Sequence, residues 1–134
     1  MRSLLALGLL ASVVLALSAA STAAARTSLT VTYWASGADS SKPVTSTLRC
    51  APAGGTLAKP SVACARLSSG GWRLFAPTPK NVACSEIYGG PQVAVVVGSV
   101  EGRRVWAKLQ RRNGCETARW GRFAPWLVPA GSAA

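Results

Sequence analysis

The sequence predicts an α+β domain: an antiparallel sheet of about five strands, one or two short helices and two disulfides. Three observations carry this. Short segments are rich in β-branched and aromatic residues or alternate apolar with polar ones, one run has helix punctuation, and four cysteines are spread along the chain.

The first 25 residues stand apart from that domain. Met1-Arg2-Ser3 is followed by an uncharged apolar run from Leu4 to Leu17 and then by small residues up to Ala25. A cationic start, a short apolar core and an A-x-A end predict a secretory signal peptide, residues 1–25, with cleavage after Ala25 or, as the alternative, Ala20. The apolar core falls short of the ~20 residues that span a bilayer. A secreted, extracellular domain, residues 26–134, with no membrane association, is the expectation.

Within that domain, Leu29–Trp34 is rich in β-branched and aromatic residues and predicts a first strand. Ala35–Lys42, with Gly37, Asp39 and three serines, is a loop. Val44–Cys50 alternates and predicts a second strand with one buried face, broken by Ala51-Pro52-Ala53-Gly54-Gly55-Thr56. Val62–Leu67 predicts a short helix with Ser61 as N-cap and Gly70-Gly71 as its end. Residues 72–83 hold Pro77 and Pro79 and read as irregular. Gln92–Val97 is apolar enough for a well-buried strand. A glycine-containing turn over Gly98–Gly102 and the alternating Arg103–Gln110 complete a β-hairpin. Trp120–Trp126 is the candidate last strand, and residues 127–134 are expected to fray.

Composition narrows function. The 134 residues include 15 Lys+Arg, 4 Asp+Glu and no histidine, a formal charge of +11 that becomes +10 once Arg2 leaves with the signal peptide. Without histidine there is no Ser-His-Asp or Cys-His arrangement and no histidine-ligated metal. Glu101 and Glu116 do not make a glycosidase pair. The chain is expected to bind rather than catalyse, with no cofactor and no metal. The pairs Arg103-Arg104 and Arg111-Arg112, with Lys108, Arg119 and Arg122, offer a candidate patch for anionic cell-envelope polymers or nucleic acid, against the plainer alternative of a solvated strand face. Trp72, Trp106, Trp120 and Trp126 could stack on bases, but aromatics in a small sheet are more often core.

Cys50, Cys64, Cys84 and Cys115 include no CxxC pair, so zinc-ribbon and thioredoxin-like chemistry lack support. An exported chain keeps disulfides, and the even count predicts two, in any of three connectivities.

Leu48-Arg49-Cys50-Ala51-Pro52, Gly54-Gly55-Thr56 and Pro60 through Leu67 resemble the Streptomyces subtilisin inhibitor family. Cys84-Ser85-Glu86-Ile87-Tyr88 resembles that family's reactive-site segment, and Glu101-Gly102-Arg103-Arg104-Val105 and Asn113-Gly114-Cys115-Glu116 extend the likeness over about residues 29–125. The resemblance implies a secreted inhibitor of serine endopeptidases, of trypsin-like fold or subtilisin-like, with two short helices on an antiparallel sheet and a tendency to form homodimers. It implies the pairs Cys50–Cys64 and Cys84–Cys115. It also implies Glu86 as P1, Ile87 as P1′ and Glu86–Ile87 as the scissile bond, with Cys84 at P3, Ser85 at P2, and Ala83 and Tyr88 completing the protease-contacting loop. Two departures stand out: Ser85 replaces a common proline, and Tyr88-Gly89-Gly90-Pro91 carries one residue more than the family's Tyr-Asp-Pro. The two glycines predict a flexible primed side.

Overall fold

The computed structural model describes residues 26–131; the candidate signal peptide, residues 1–25, lies outside them. Four strands form one antiparallel sheet: β1 (Ser28–Trp34), β2 (Val44–Arg49), β3 (Gly90–Val100) and β4 (Arg103–Arg111). Their order is β2-β1-β3-β4. Helix α1 (Pro60–Gly70) leads into a 3-10 turn at Gly71–Phe75, and helix α2 (Gly114–Phe123) follows β4.

Alternation sets which face is buried. Leu29 pairs with Leu48 and Gly98, and two residues along β1 Val31 pairs with Val96 and Val96 with Ala107, so two neighbouring rows cross the sheet in register on one face. Val105, Ala107 and Leu109 of β4 share that face. Over it pack Ala63 and Leu67 of α1, Phe75, and Trp120 and Phe123 of α2. Each large apolar side chain so buried contributes about 1.5–3 kcal/mol, and the sheet with its single helical layer has one core.

The structure corrects several expectations. Among the described residues there are four strands rather than about five, because Trp120 belongs to α2 and not to a strand. The local cause is a cap: the Asn113 side chain accepts a hydrogen bond from the Glu116 N–H at 2.9 Å, which starts a helix directly after β4. Trp120 and Phe123, three residues apart, then face the core on one side of that helix. Helix α1 is not capped by Ser61. Its N-cap is Lys59, without a side-chain hydrogen bond, and Pro60, whose fixed φ suits a first helical position, opens it. The hairpin turn is tighter than expected: β3 continues through Gly98 to Val100, and only Glu101 and Gly102 join it to β4. Within the irregular segment, the 3-10 turn buries Phe75.

The tail is packed rather than frayed at its start. Leu127 and Val128 are buried, and the Trp120 indole N–H donates to the Pro129 carbonyl at 3.0 Å. Residues 132–134 lie outside the described residues. Among the described residues no helix is long and apolar enough to cross a membrane.

Arg119, expected on a surface patch, is instead 5% exposed. Its guanidinium donates to the carbonyls of Lys108 and Phe75, both at 2.9 Å, and so ties α2 to β4 and to the 3-10 turn. Burial pushes its pKa below the ordinary arginine value; Glu116 counters this and Arg122 adds to it. Arg119→Met is expected to lower stability by about 2–4 kcal/mol, since the buried contact to the Phe75 carbonyl and the part-buried one to the Lys108 carbonyl are both lost. Arg119→Lys should recover little, because one ammonium lacks the planar fork that reaches both carbonyls. Urea denaturation measures both effects, and an unchanged midpoint in the methionine variant removes this bracing role.

Candidate functional site

The segment from Ala83 to Gly89 has no regular secondary structure and projects from the domain. Four constraints hold its ends. The Cys84–Cys115 bridge, with Cα atoms 5.3 Å apart, joins it to the first turn of α2. The Gly114 N–H donates to the Ser85 carbonyl at 2.9 Å, and the Gly89 N–H donates to the Arg111 carbonyl at 2.7 Å. The Val82 N–H donates to the Pro79 carbonyl at 3.3 Å, closing a turn just before the loop.

Between the two backbone anchors stand Glu86, Ile87 and Tyr88, all exposed. Ile87 is 72% and Tyr88 57% exposed, which is unusual for side chains of that size. The Glu86 carboxylate has no ion pair and no hydrogen bond among the described residues. Ala83 and Ser85 are exposed and Cys84 is half-buried. The loop thus shows three consecutive unsupported side chains on a main chain fixed immediately before and after them. Such an arrangement suits recognition by extended main-chain pairing, with side chains entering pockets on the partner.

Asn113 and Gly114, quoted from the sequence only as part of the family likeness, turn out to support the loop. A Cβ on Gly114 would collide with the Ser85 hydroxyl, so the glycine leaves room for that side chain against α2. Asn113 fixes the start of α2 and with it the position of Cys115 and Gly114. The Asn113-Gly114 pair after an alternating strand was a legible helix-start signal; its contact with Ser85 was not.

On the primed side, where the two glycines predict flexibility, both are packed in the structure. Gly89 is bonded to β4 and packs against Thr117, while Gly90 already belongs to β3 and is buried. Gly90 has φ +142°, where a Cβ is strained, and Gln92 and Arg111 occupy the space that a Cβ would need. The glycines here permit close packing.

Both disulfides join the pairs implied by the family resemblance: Cys50 with Cys64 at a Cα separation of 5.7 Å, and Cys84 with Cys115. Among the described residues there is no group of three or more His, Cys, Asp or Glu side chains placed to hold a metal ion. Trp120 and Trp126 are core residues as expected, but Trp106 is 66% exposed.

Comparison with known proteins agrees with this geometry. No curated protein sequence matches the chain. Among solved structures, it is similar to Streptomyces caespitosus sermetstatin, whose crystal structure is of a complex with Bacillus licheniformis subtilisin. The two share 26% sequence identity at a TM-score of 0.51, over 78% of this chain and 99% of that one. The family model described as subtilisin inhibitor-like matches residues 16–113, which takes in the whole sheet, α1 and the projecting loop. With that match over most of its length and two disulfides around an exposed, anchored loop, the chain belongs to the subtilisin inhibitor-like family of protease inhibitors.

Proposed function

We propose that the chain is a secreted, standard-mechanism inhibitor of serine endopeptidases, with Glu86 as P1, Ile87 as P1′ and Glu86–Ile87 as the scissile bond. The observation that carries this reading is the exposed run Glu86–Tyr88 between the backbone anchors at Ser85 and Gly89, beside the Cys84–Cys115 bridge. A protease would take this run as substrate, with Ala83 to Ser85 on the non-primed side and Tyr88 on the primed side. Little conformational freedom is left to lose on binding, which favours a long-lived complex. If the bond is cut, the new Ile87 amine stays close to the Glu86 acyl group, and religation competes with hydrolysis through a high effective concentration. No group on the inhibitor needs to catalyse anything.

Glu86 sets the preference. A carboxylate entering a specificity pocket must find a cation or hydrogen-bond donors there, because burying it unpaired is costly. An acid-specific endopeptidase of trypsin-like fold, or one with a broad and polar pocket, is therefore the preferred target. Subtilisin-like enzymes with an apolar pocket are expected to bind less well. Residues 1–25 serve as the export signal in this reading, and export gives the bridges the oxidising surroundings in which they persist.

A panel of acid-specific, trypsin-like and subtilisin-like proteases tests the proposal, with mass spectrometry of the oxidised chain after incubation. The expected result is strongest inhibition of the acid-specific enzyme and slow, partial cleavage at Glu86–Ile87 alone. Inhibition with a nick at another bond moves the reactive site. No inhibition, with the loop intact or rapidly consumed, overturns the inhibitory function itself.

A further inference from the structure

The core stays open at the β2 edge of the sheet. Val44, Ser46 and Leu48 all point to the face that carries the core, yet only Leu48 is buried; Ser46 is half-buried and Val44 is 62% exposed. A hollow of about 300 Å³ lies against the uncovered pair. Val31 and Tyr33 of β1 line it beside them, and Leu57 and the packed tail from Trp126 to Val128 close it in. Lys59 is the one charged residue among those that line it. The same Lys59, with Pro125 and Trp126, also borders a second hollow of about 570 Å³, where the other charged residues are Arg66 and Arg122. Among the described residues no acidic side chain lines either one.

Small-molecule sites are concave and mostly apolar, with a few polar groups that orient the ligand, and the first hollow has that character. An apolar body in it would give its walls dispersion contacts that a gap forfeits. The rest of the chain has little to offer there, since Ser132-Ala133-Ala134, which follow the tail, carry no large apolar side chain. Among the described residues neither the Ser46 hydroxyl nor the Lys59 ammonium has a hydrogen-bond or ion-pair partner. Helix α1 opens one residue after Lys59 with no side-chain cap and no acid in its first turn, so the positive end of its dipole adds to that ammonium. A cationic amphiphile would be repelled at this mouth, and a neutral one would leave the charge unmatched. A carboxylate on an alkyl chain satisfies the walls and the lysine together.

We infer that the hollow against Val44 and Ser46 binds a fatty carboxylate, with its alkyl chain between the sheet and the tail and its head group on Lys59, towards Arg66 and Arg122. The site is separate from the projecting loop, none of whose residues lines it. The strand order puts the hollow at the β2 edge and Arg111, whose carbonyl anchors the loop, at the β4 edge. Three strand spacings of about 4.8 Å put roughly 14 Å between those edges. Ligand and protease would not compete, and failure of either reading leaves the other standing.

The test is isothermal titration of the oxidised protein with sodium decanoate below its micellar concentration, beside sodium octanoate and decyltrimethylammonium bromide. One saturable site is expected for decanoate. Decanoate should bind about 10- to 15-fold more tightly than octanoate, the worth of two buried methylenes, and decyltrimethylammonium should not bind. Ser46→Leu continues the apolar row of β2 into the hollow and should weaken decanoate about 10-fold or more, as two or more methylenes lose their place. Its melting temperature should be equal or higher. Val44→Trp, at an exposed position, narrows the same hollow and should act likewise. Lys59→Gln should weaken decanoate about 2- to 5-fold, the worth of an exposed ion pair. Decanoate affinity left unchanged by both Ser46→Leu and Val44→Trp overturns the proposal, as does the absence of saturable binding. Equal affinity for octanoate and decanoate overturns it by reducing the contact to surface charge, and equal affinity for decanoate and decyltrimethylammonium does so by removing the part of Lys59.

Discussion

Replacing Glu86 by lysine is expected to move inhibition from proteases with a polar or cationic specificity pocket to trypsin-like enzymes whose pocket holds a carboxylate. The wild-type glutamate at such a pocket sets two carboxylates together, and the lysine replaces that repulsion with an ion pair. Truncating or mismatching one partner of a buried, hydrogen-bonded charge pair costs about 2–5 kcal/mol, and each 1.4 kcal/mol is tenfold in affinity. The inhibition constant for the trypsin-like enzyme should therefore fall by about 30-fold or more, and that for an acid-specific enzyme should rise by a similar factor. The fold has no stake in the exchange. Glu86 is exposed and its carboxylate has no partner among the described residues, so stability should change by no more than about 0.5 kcal/mol. Inhibition constants for both enzymes, with a thermal melt as control, make the comparison. Unchanged selectivity would take Glu86 out of the contact.

Much of the scaffold was legible because it rests on period-two patterning. Val105, Ala107 and Leu109 alternate with Arg104, Trp106 and Lys108, and that alternation assigns one set to the core and the other to solvent. It also held the signal that Trp106 is exposed, a signal that a general expectation for aromatics overrode. Helix α2 was misread because Trp120, Phe123 and Trp126 look strand-like by composition, whereas the Asn113 cap decides the local structure. The bridges and the loop's place in the chain came through family resemblance, since spacing leaves three connectivities open. The loop's anchors were not legible at all. Ser85 meets Gly114, and Gly89 meets Arg111 and Thr117, only because the sheet and α2 bring distant stretches together. Arg119 is the same case: its partners, Phe75 and Lys108, lie 44 and 11 residues away in sequence, so an arginine that looks like surface charge is a buried brace.

Removing the Cys84–Cys115 bridge should turn the inhibitor into a substrate, whereas removing Cys50–Cys64 should not. The difference comes from where the bridges stand relative to Glu86–Ile87. Residues before that bond form β1, β2 and α1, and residues after it form β3, β4 and α2. Cys50–Cys64 lies wholly within the first part, and Cys84–Cys115 joins the two. Once the bond is cut, Cys84–Cys115 is the remaining covalent tie between the new ends, held two residues from the acyl group. Chain entropy assigns the bridges similar weight in stability, about 3.7 kcal/mol for the longer loop and about 3 kcal/mol for the shorter. The double variants Cys84→Ala/Cys115→Ala and Cys50→Ala/Cys64→Ala are therefore matched for loss of stability and differ mainly in the tether. At a temperature where circular dichroism shows both folded, the first should give temporary inhibition followed by complete cleavage at Glu86–Ile87. The second should inhibit persistently with only partial cleavage. Nicked native protein should part into fragments ending at Glu86 and beginning at Ile87 only after reduction and denaturation. Equal persistence of inhibition in the two variants would mean that Ser85–Gly114 and Gly89–Arg111 hold the cut ends by themselves, and that the bridge serves stability alone.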